Sequence, residues 1–278
     1  MTIRIVTDSA CDLPQDVCDR LGIVVVPLSI RFGNEEFTDR TGITVDEFWS
    51  RCHSSSVLPE TAAPAPGQFE AAYRQLKADG AGGICVINLS GDLSATMQSA
   101  ELAAKSVAAD IPITVVDSRT VSMGQGLVVL DCAERAKAGA SLDEVASLAR
   151  GYADKVHVWG ALDTLENLKK GGRIGGAKAL MATALAIKPI IEIRNGKVEE
   201  GGRQRTRSKA LAFLIDQVRS TPNIVQLGVL HAKCPDIDQF VSMLKEVYSG
   251  DIVVGDIGAV VGSHAGVGTI GVAFRVAN

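Results

Sequence analysis

The sequence predicts an α/β protein of two domains, with a boundary near Gly151, and three observations carry that prediction. Unbroken β-branched runs alternate with helix-period stretches through the first half, as strands covered by helices on both faces do. Past Ala140 the rhythm changes, and an Asn195-Gly196 pair between two apolar runs marks antiparallel pairing. A chain of 278 residues, 46% hydrophobic and 22% charged, is long enough for two cores. Residues 1–150 therefore read as a Rossmann-like domain on a parallel sheet, and residues 151–278 as an α/β domain with a mixed sheet.

In the first half, the strands are IRIV from Ile3, IVVVPLSI from Ile23, ICVINL from Ile84 and ITVVDS from Ile113. Helix-period apolar positions occupy residues 69–78, 95–109 and 123–138, and a short helix follows Pro14, which suits a first helical turn. The stretch 54–67, SSSVLPETAAPAPG, is long and rich in Ser and Pro, so it reads as a lid or an ordered crossover.

The second half starts after a helix over 141–152, with the strand VHVWGAL and a charged helix DTLENLKKGGR. An apolar, Ala-rich helix comes next and stops at Lys188, because the residue before a proline avoids helical geometry. A hairpin over 190–200 turns at Asn195-Gly196. Helices over 208–219 and 235–248 alternate with the strands IVQLGVLHA and DIVVGDIG, and TIGVAFRVA ends the chain as a strand. This mixture predicts a sheet with its helices on one face.

Composition excludes some classes. A net charge of -4 argues against a nucleic-acid surface, which needs a basic excess. Six dispersed cysteines without CxxC pairs fit reduced thiols rather than a disulfide frame or a zinc site, and with the absence of a signal-peptide pattern they predict a cytoplasmic protein. No apolar run reaches membrane-spanning length, so no embedding in a bilayer is expected.

The most informative stretch is 84–100, where a strand runs into a hydroxyl-rich turn that opens a helix. Unpaired amides at a helix start attract anions, so Ser94, Thr96 and neighbouring N–H groups are candidates to hold a carboxylate or phosphate. No Lys, His or Cys with which to do chemistry lies close by, apart from Cys85 within the strand. In LKKGGRIGGAKAL, Gly171 and Gly172 end a helix and deliver Arg173 from a tight turn, suited to clamping an oxyanion; a plain helix cap with a surface Arg is the alternative. His264 lies between glycines in GAVVGSHAGVG, read as a loop before the last strand and poised for an anion or a proton. For Asp8, Ser9 and Asp12, helix capping is the simpler reading, and Asp117-Ser118 suggests a supporting role. His231-x-x-Cys234 has no second pair to complete a metal site. P-loop, GxSxG and HExxH patterns are missing and no GxGxxG follows the first strand, while a triad of Ser94, His264 and Asp8 stays open because triads assemble in space.

Taken together, TDSACDLP at Thr7, LPETAAPAPGQF at Leu58, LSGDLSATMQSA at Leu89, VDSRTVSMG at Val116, TLENLKKGGRI at Thr164, AIKPI at Ala186 and GSHAGVG at Gly262 make nearly the whole chain resemble the DegV family, the fatty-acid-binding proteins that serve bacterial fatty acid kinase. The resemblance implies one long-chain fatty acid between two α/β domains, its carboxylate at their junction and its tail in an apolar tunnel. It implies that Thr61 and Ser94 bond the carboxylate, and that Arg173 and His264 lie by the head group where an ATP-dependent partner kinase forms the acyl phosphate. No cofactor is implied beyond the bound lipid, and transient membrane contact for lipid exchange is left open. Three departures bear on the head group: Ala62 and Ala95 stand where the family has Ser and Gly, and Val267 where it has Pro. The competing readings are a stand-alone hydrolase or transferase acting through Ser94 or His264, and a lipid-responsive regulator.

Overall fold

A computed structural model describes residues 2–55, 57–182 and 187–277. The fold is mixed α/β, with a parallel sheet in the N-terminal half and a mixed sheet in the C-terminal half. In chain order, the first half holds β1 (Ile3–Asp8), α1 (Gln15–Leu21), β2 (Val24–Val26), β3 (Ser29–Phe32), β4 (Glu35–Thr38), α2 (Val45–Ser54), β5 (Glu60–Ala62), α3 (Pro66–Ala78), β6 (Gly83–Asn88), α4 (Thr96–Ser106), β7 (Ile113–Asp117), α5 (Met123–Lys137) and α6 (Leu142–Gly151). The second half holds β8 (Val156–Ala161), α7 (Glu166–Lys170), β9 (Lys188–Arg194), β10 (Lys197–Gln204), α8 (Arg207–Ser220), β11 (Ile224–His231), α9 (Ile237–Lys245), β12 (Ile252–Asp256), α10 (Ala259–Ala265) and β13 (Ile270–Val276).

The first sheet runs β2-β1-β6-β7, all parallel. The second runs β10-β9-β8-β13-β11-β12 and pairs antiparallel everywhere except β11 with β12. Helices α8 and α9 cover one face of it, with Leu214 and Phe240 fully buried there. The other face is closed by α5, which also packs on β1. Met123 and Leu127 of α5 share a core with Val158 and Ala273. That approach requires small residues: a Cβ on Gly124 would lie 2.4 Å from a Val158 methyl, and one on Gly228 2.4 Å from Met123.

Two expectations are corrected, and one left open is decided. IVVVPLSI is not one strand. Pro27 has no N–H for the ladder, so the chain leaves the parallel sheet after Val26 and Ser29 opens a separate three-stranded sheet, β4-β3-β5. Part of the stretch 54–67 is β5, paired antiparallel to β3 with Ile30 opposite Thr61, so it is an ordered strand there. The Ala-rich helix is 3₁₀-helical over Gly175–Ala182; residues 183–186 of it lie outside the described residues.

The hairpin holds, but helix α1 starts after Pro14 without a side-chain cap: Ser9 Oγ instead accepts from Leu28 N, and the Asp12 carboxylate from Ser122 Oγ and Gly258 N. Asn195 and Gly196 have φ of +52° and +79°, as a type I′ turn demands. Asp8 caps the 3₁₀ turn Ser9–Cys11, its carboxylate accepting from Ala10 N.

Candidate functional site

Between the two sheets lies a narrow, partly enclosed cavity of about 90 Å³. Leu28, Leu89 and Val121 from the first half and Ile191, Ile193 and Val198 from the hairpin make most of its wall apolar. Among the described residues, its polar lining comes from Thr61, Ser94, Arg173 and His264.

Each of these four comes from a different element. Thr61 sits on β5, brought in by the small sheet. Ser94 ends the loop after β6 and precedes α4; its amide donates to Ser90 O at 3.2 Å. Thr96 does not line the cavity: it is buried behind Ser94, its hydroxyl 2.9 Å from Ser94 Oγ and its amide donating to the same oxygen at 3.3 Å. Thr96 thus orients Ser94 rather than facing the space itself.

Arg173 follows the end of α7, where Gly172 takes the left-handed φ of +71° and Arg173 N bonds Leu168 O. Its guanidinium is anchored by backbone: Nε donates to Leu93 O at 3.0 Å and Nη1 to Gly171 O at 2.6 Å. Among the described residues no carboxylate pairs with it. A half-buried cation held by neutral carbonyls beside an apolar cavity keeps its charge for an incoming anion.

His264 is not in a loop, as its glycine-rich surroundings suggest, but in α10. Gly262 lets that helix lie against α2, where a Cβ would come within 2.7 Å of Phe48 and 2.8 Å of Trp49. Trp49 Nε1 donates to Ile257 O at 2.9 Å, and Asn167 Nδ2 to Ser263 O at 3.1 Å, so α2 and α7 both fix α10. The imidazole Nε2 lies 2.9 Å from Thr61 Oγ1, while Nδ1 is buried without a partner against Gly171. Burial, and then the charge of Arg173, pull the His264 pKa down to about 4, so the ring is neutral at pH 7. A buried N–H without an acceptor is less tolerable than an idle lone pair, so the proton belongs on Nε2, donating to Thr61. The Thr61 hydroxyl hydrogen is then free to point at a ligand oxygen.

The candidate triad is not assembled. Asp8 is buried and spends its carboxylate on Asn88 Nδ2 and Leu89 N, both at 2.9 Å, with its pKa raised by burial against those bonds. Ser94 bonds Thr96 and His264 bonds Thr61, so no base activates the serine. His231 Nδ1 accepts from Cys234 N at 3.1 Å and approaches Asp256, remote from this cavity's lining. Asp117 braces the site loop through Gly91 N at 3.2 Å and Arg119 N at 2.7 Å.

Several contributors escaped sequence reasoning. The Leu93 carbonyl that aims Arg173 carries no side-chain signal, and neither does the close pass of Gly171 under His264. Helix α2 and the β3–β4 turn were also missed, although the capping box Thr44-x-x-Glu47 and the Gly33-Asn34 pair are signals that could have found them.

The family model described as "Uncharacterised protein, DegV family" matches residues 2–277. The chain belongs to the DegV family. A DegV domain-containing protein of Streptomyces coelicolor is 35% identical over 277 residues, 97% of either chain, and one of Deinococcus radiodurans is 35% identical over 280 residues, 99% of either chain. Among solved structures, a DegV family protein from Thermus thermophilus described by its fatty acid binding superposes with a TM-score of 0.89 at 34% identity, covering 100% of both chains. The fatty acid binding protein DegV of Bacillus subtilis gives 0.89 at 26% identity, again with both chains covered in full. Among the described DegV residues here, no helix is long and apolar enough to cross a membrane.

Proposed function

We propose that this DegV family protein binds a long-chain fatty acid between its two halves and presents the carboxylate to an ATP-dependent fatty acid kinase, which forms the acyl phosphate. The observation that carries this reading is the segregation of the cavity: among the described residues, Thr61, Ser94, Arg173 and His264 supply the polar lining, and the rest of the wall is apolar. A carboxylate fits that set. Arg173 balances its charge, Thr61 and Ser94 donate hydroxyl hydrogens, and the neutral His264 sets the direction of the Thr61 donor. An alkyl tail matches the remainder, at about 0.8 kcal/mol for each CH₂ taken from water. The boundary near Gly151 then separates two domains that close on the ligand from either side.

The division of labour follows from what the four residues lack. A carboxylate is already a nucleophile toward a phosphoryl group, so the binding protein needs no general base, and Arg173 is placed to offset charge that grows as phosphate is added. ATP and the phosphoryl-transfer machinery belong to the partner. Relatives described as fatty-acid-binding support the lipid arm of this reading.

The test is extraction. Gently purified protein, denatured and extracted into organic solvent, releases about one fatty acid per chain by mass spectrometry; an extract with no lipid, from protein that also fails to take up added oleate, refutes the reading. Incubation of the loaded protein with ATP alone yields no acyl hydroxamate on trapping with hydroxylamine. Its formation without a kinase would assign the chemistry to this chain instead.

A further inference from the structure

The β9–β10 turn is tied down at its tip. Ser90 Oγ donates to Gly196 O at 2.7 Å in a buried contact, and Arg119 Nη2 donates to Asn195 O at 2.9 Å. Next to them, Lys197 and Asp92 form a loose ion pair at 3.8 Å. Gly196 fits because it has no side chain: a Cβ there would lie 2.6 Å from Ser90 Oγ. This turn belongs to the six-stranded sheet, whereas Ser90 and Arg119 follow strands of the parallel sheet, so the contact bridges the two sheets across the cavity.

Ser90 faces both ways. Its carbonyl accepts from the amides of Leu93 and Ser94 at 3.0 and 3.2 Å and so shapes the loop that carries Ser94. Its hydroxyl holds the turn of the hairpin whose Ile191, Ile193 and Val198 form the opposite wall. The remaining ties are weak ones. Lys197 and Asp92 are 57% and 42% exposed, and ion pairs so hydrated add little, so the turn is a place where local opening is cheaper than unfolding.

We infer that Ser90 is a positioning residue that, through the Asn195-Gly196 turn, keeps the cavity closed on its ligand and Ser94 against the head group, and that breaking this tie is a step in ligand release. The inference rests on the fatty-acid reading above.

A reversible crosslink tests it. The Cβ positions of residues 90 and 196 are 3.7 Å apart, the spacing of a disulfide, so Ser90→Cys combined with Gly196→Cys can lock the turn. The full chain is loaded with cis-parinaric acid, and its transfer to phosphatidylcholine vesicles is followed by fluorescence. Oxidised double variant, with the bond confirmed by mass spectrometry and Ser90→Cys alone as control, transfers the probe at least about tenfold more slowly than the same protein after dithiothreitol. Arg119→Ala transfers it about threefold faster than the parent chain, and Arg119→Lys, which keeps a donor, lies between. Equal rates in the oxidised and reduced forms overturn the inference. If the double variant fails to fold or to crosslink, Arg119→Ala decides alone: a lower melting temperature with unchanged transfer marks a merely structural tie and overturns it. Failure of the parent chain to bind the probe at all refutes the fatty-acid reading, and this inference with it, and is distinct from both results.

Discussion

Two adjacent glycines at the end of α7 should respond to the same substitution in opposite ways. Gly171 has an ordinary helical φ of -71°, so alanine costs nothing in backbone strain and on helix propensity alone would gain about 0.5–1 kcal/mol. Its new Cβ, however, would sit 2.2 Å from His264 Nδ1 and 2.7 Å from Cε1, with Asn167 O at 3.2 Å on the other side. The imidazole has to yield, and the 2.9 Å contact to Thr61 goes with it. Leaving these polar groups mispaired costs about 1–3 kcal/mol, which corresponds to a loss of about fivefold to about 150-fold in ligand affinity. Gly172 is the reverse case. At φ +71° an alanine is strained by about 1 kcal/mol, but nothing lies within 4 Å of its Cβ, so stability falls while affinity stays. Displacement titration of cis-parinaric acid, paired with thermal melts, separates the two. Wild-type affinity in Gly171→Ala would refute the reasoning that His264 and Thr61 must meet for the ligand to bind.

Other outcomes follow from the same geometry. Ser94→Ala removes a hydroxyl aimed at the cavity and weakens retention of fatty acid by about 1–3 kcal/mol, read as dissociation constant in the same titration. Ile193→Phe narrows the apolar wall without touching the polar lining, so lipid extracted from that variant shifts toward shorter chains. His264 titrates near 6.5 when unfolded and near 4 when folded. The unfolded chain therefore binds the extra proton, and the stability due to neutral burial is lost as pH falls from about 6.5 to about 4. Denaturant melts across that window should show a shallower acid slope in His264→Gln. Asp12, raised by burial to about 7 against its bonds from Ser122 and Gly258, contributes the opposite sign and is common to both proteins, so it cancels in the comparison.

Where local signals were strong, sequence and structure agree. The parallel strands at Ile3, Ile84 and Ile113 are long β-branched runs, and the Asn195-Gly196 turn has one sterically favoured solution. Where a run was interrupted, local reading went astray. Pro27 divides an apolar stretch between two sheets, and β5 contains only Glu60, Thr61 and Ala62, too short to show a period yet stable because β3 offers it a ladder. His264 is flanked by glycines that read as a loop, but one of them, Gly262, is there so that a helix can press against Phe48 and Trp49.

The sequence by itself determined the α/β class and the family; it also singled out Ser94, Arg173 and His264 by residue type in distinctive motifs, and Thr61 through the family resemblance. Only the tertiary structure decided that these four line one cavity. Thr96 is turned behind Ser94, because a helix start buries one of two neighbouring hydroxyls. Gly171 and Leu93 became part of the site through a missing side chain and a backbone carbonyl, neither of which leaves a chemical signature in the chain. The surroundings of the anion turn at residues 84–100 depend on contacts distant in sequence: Arg173 reaches the Leu93 carbonyl across 80 residues, and His264 meets Thr61 across 203. Such partners meet only when both sheets close around one cavity.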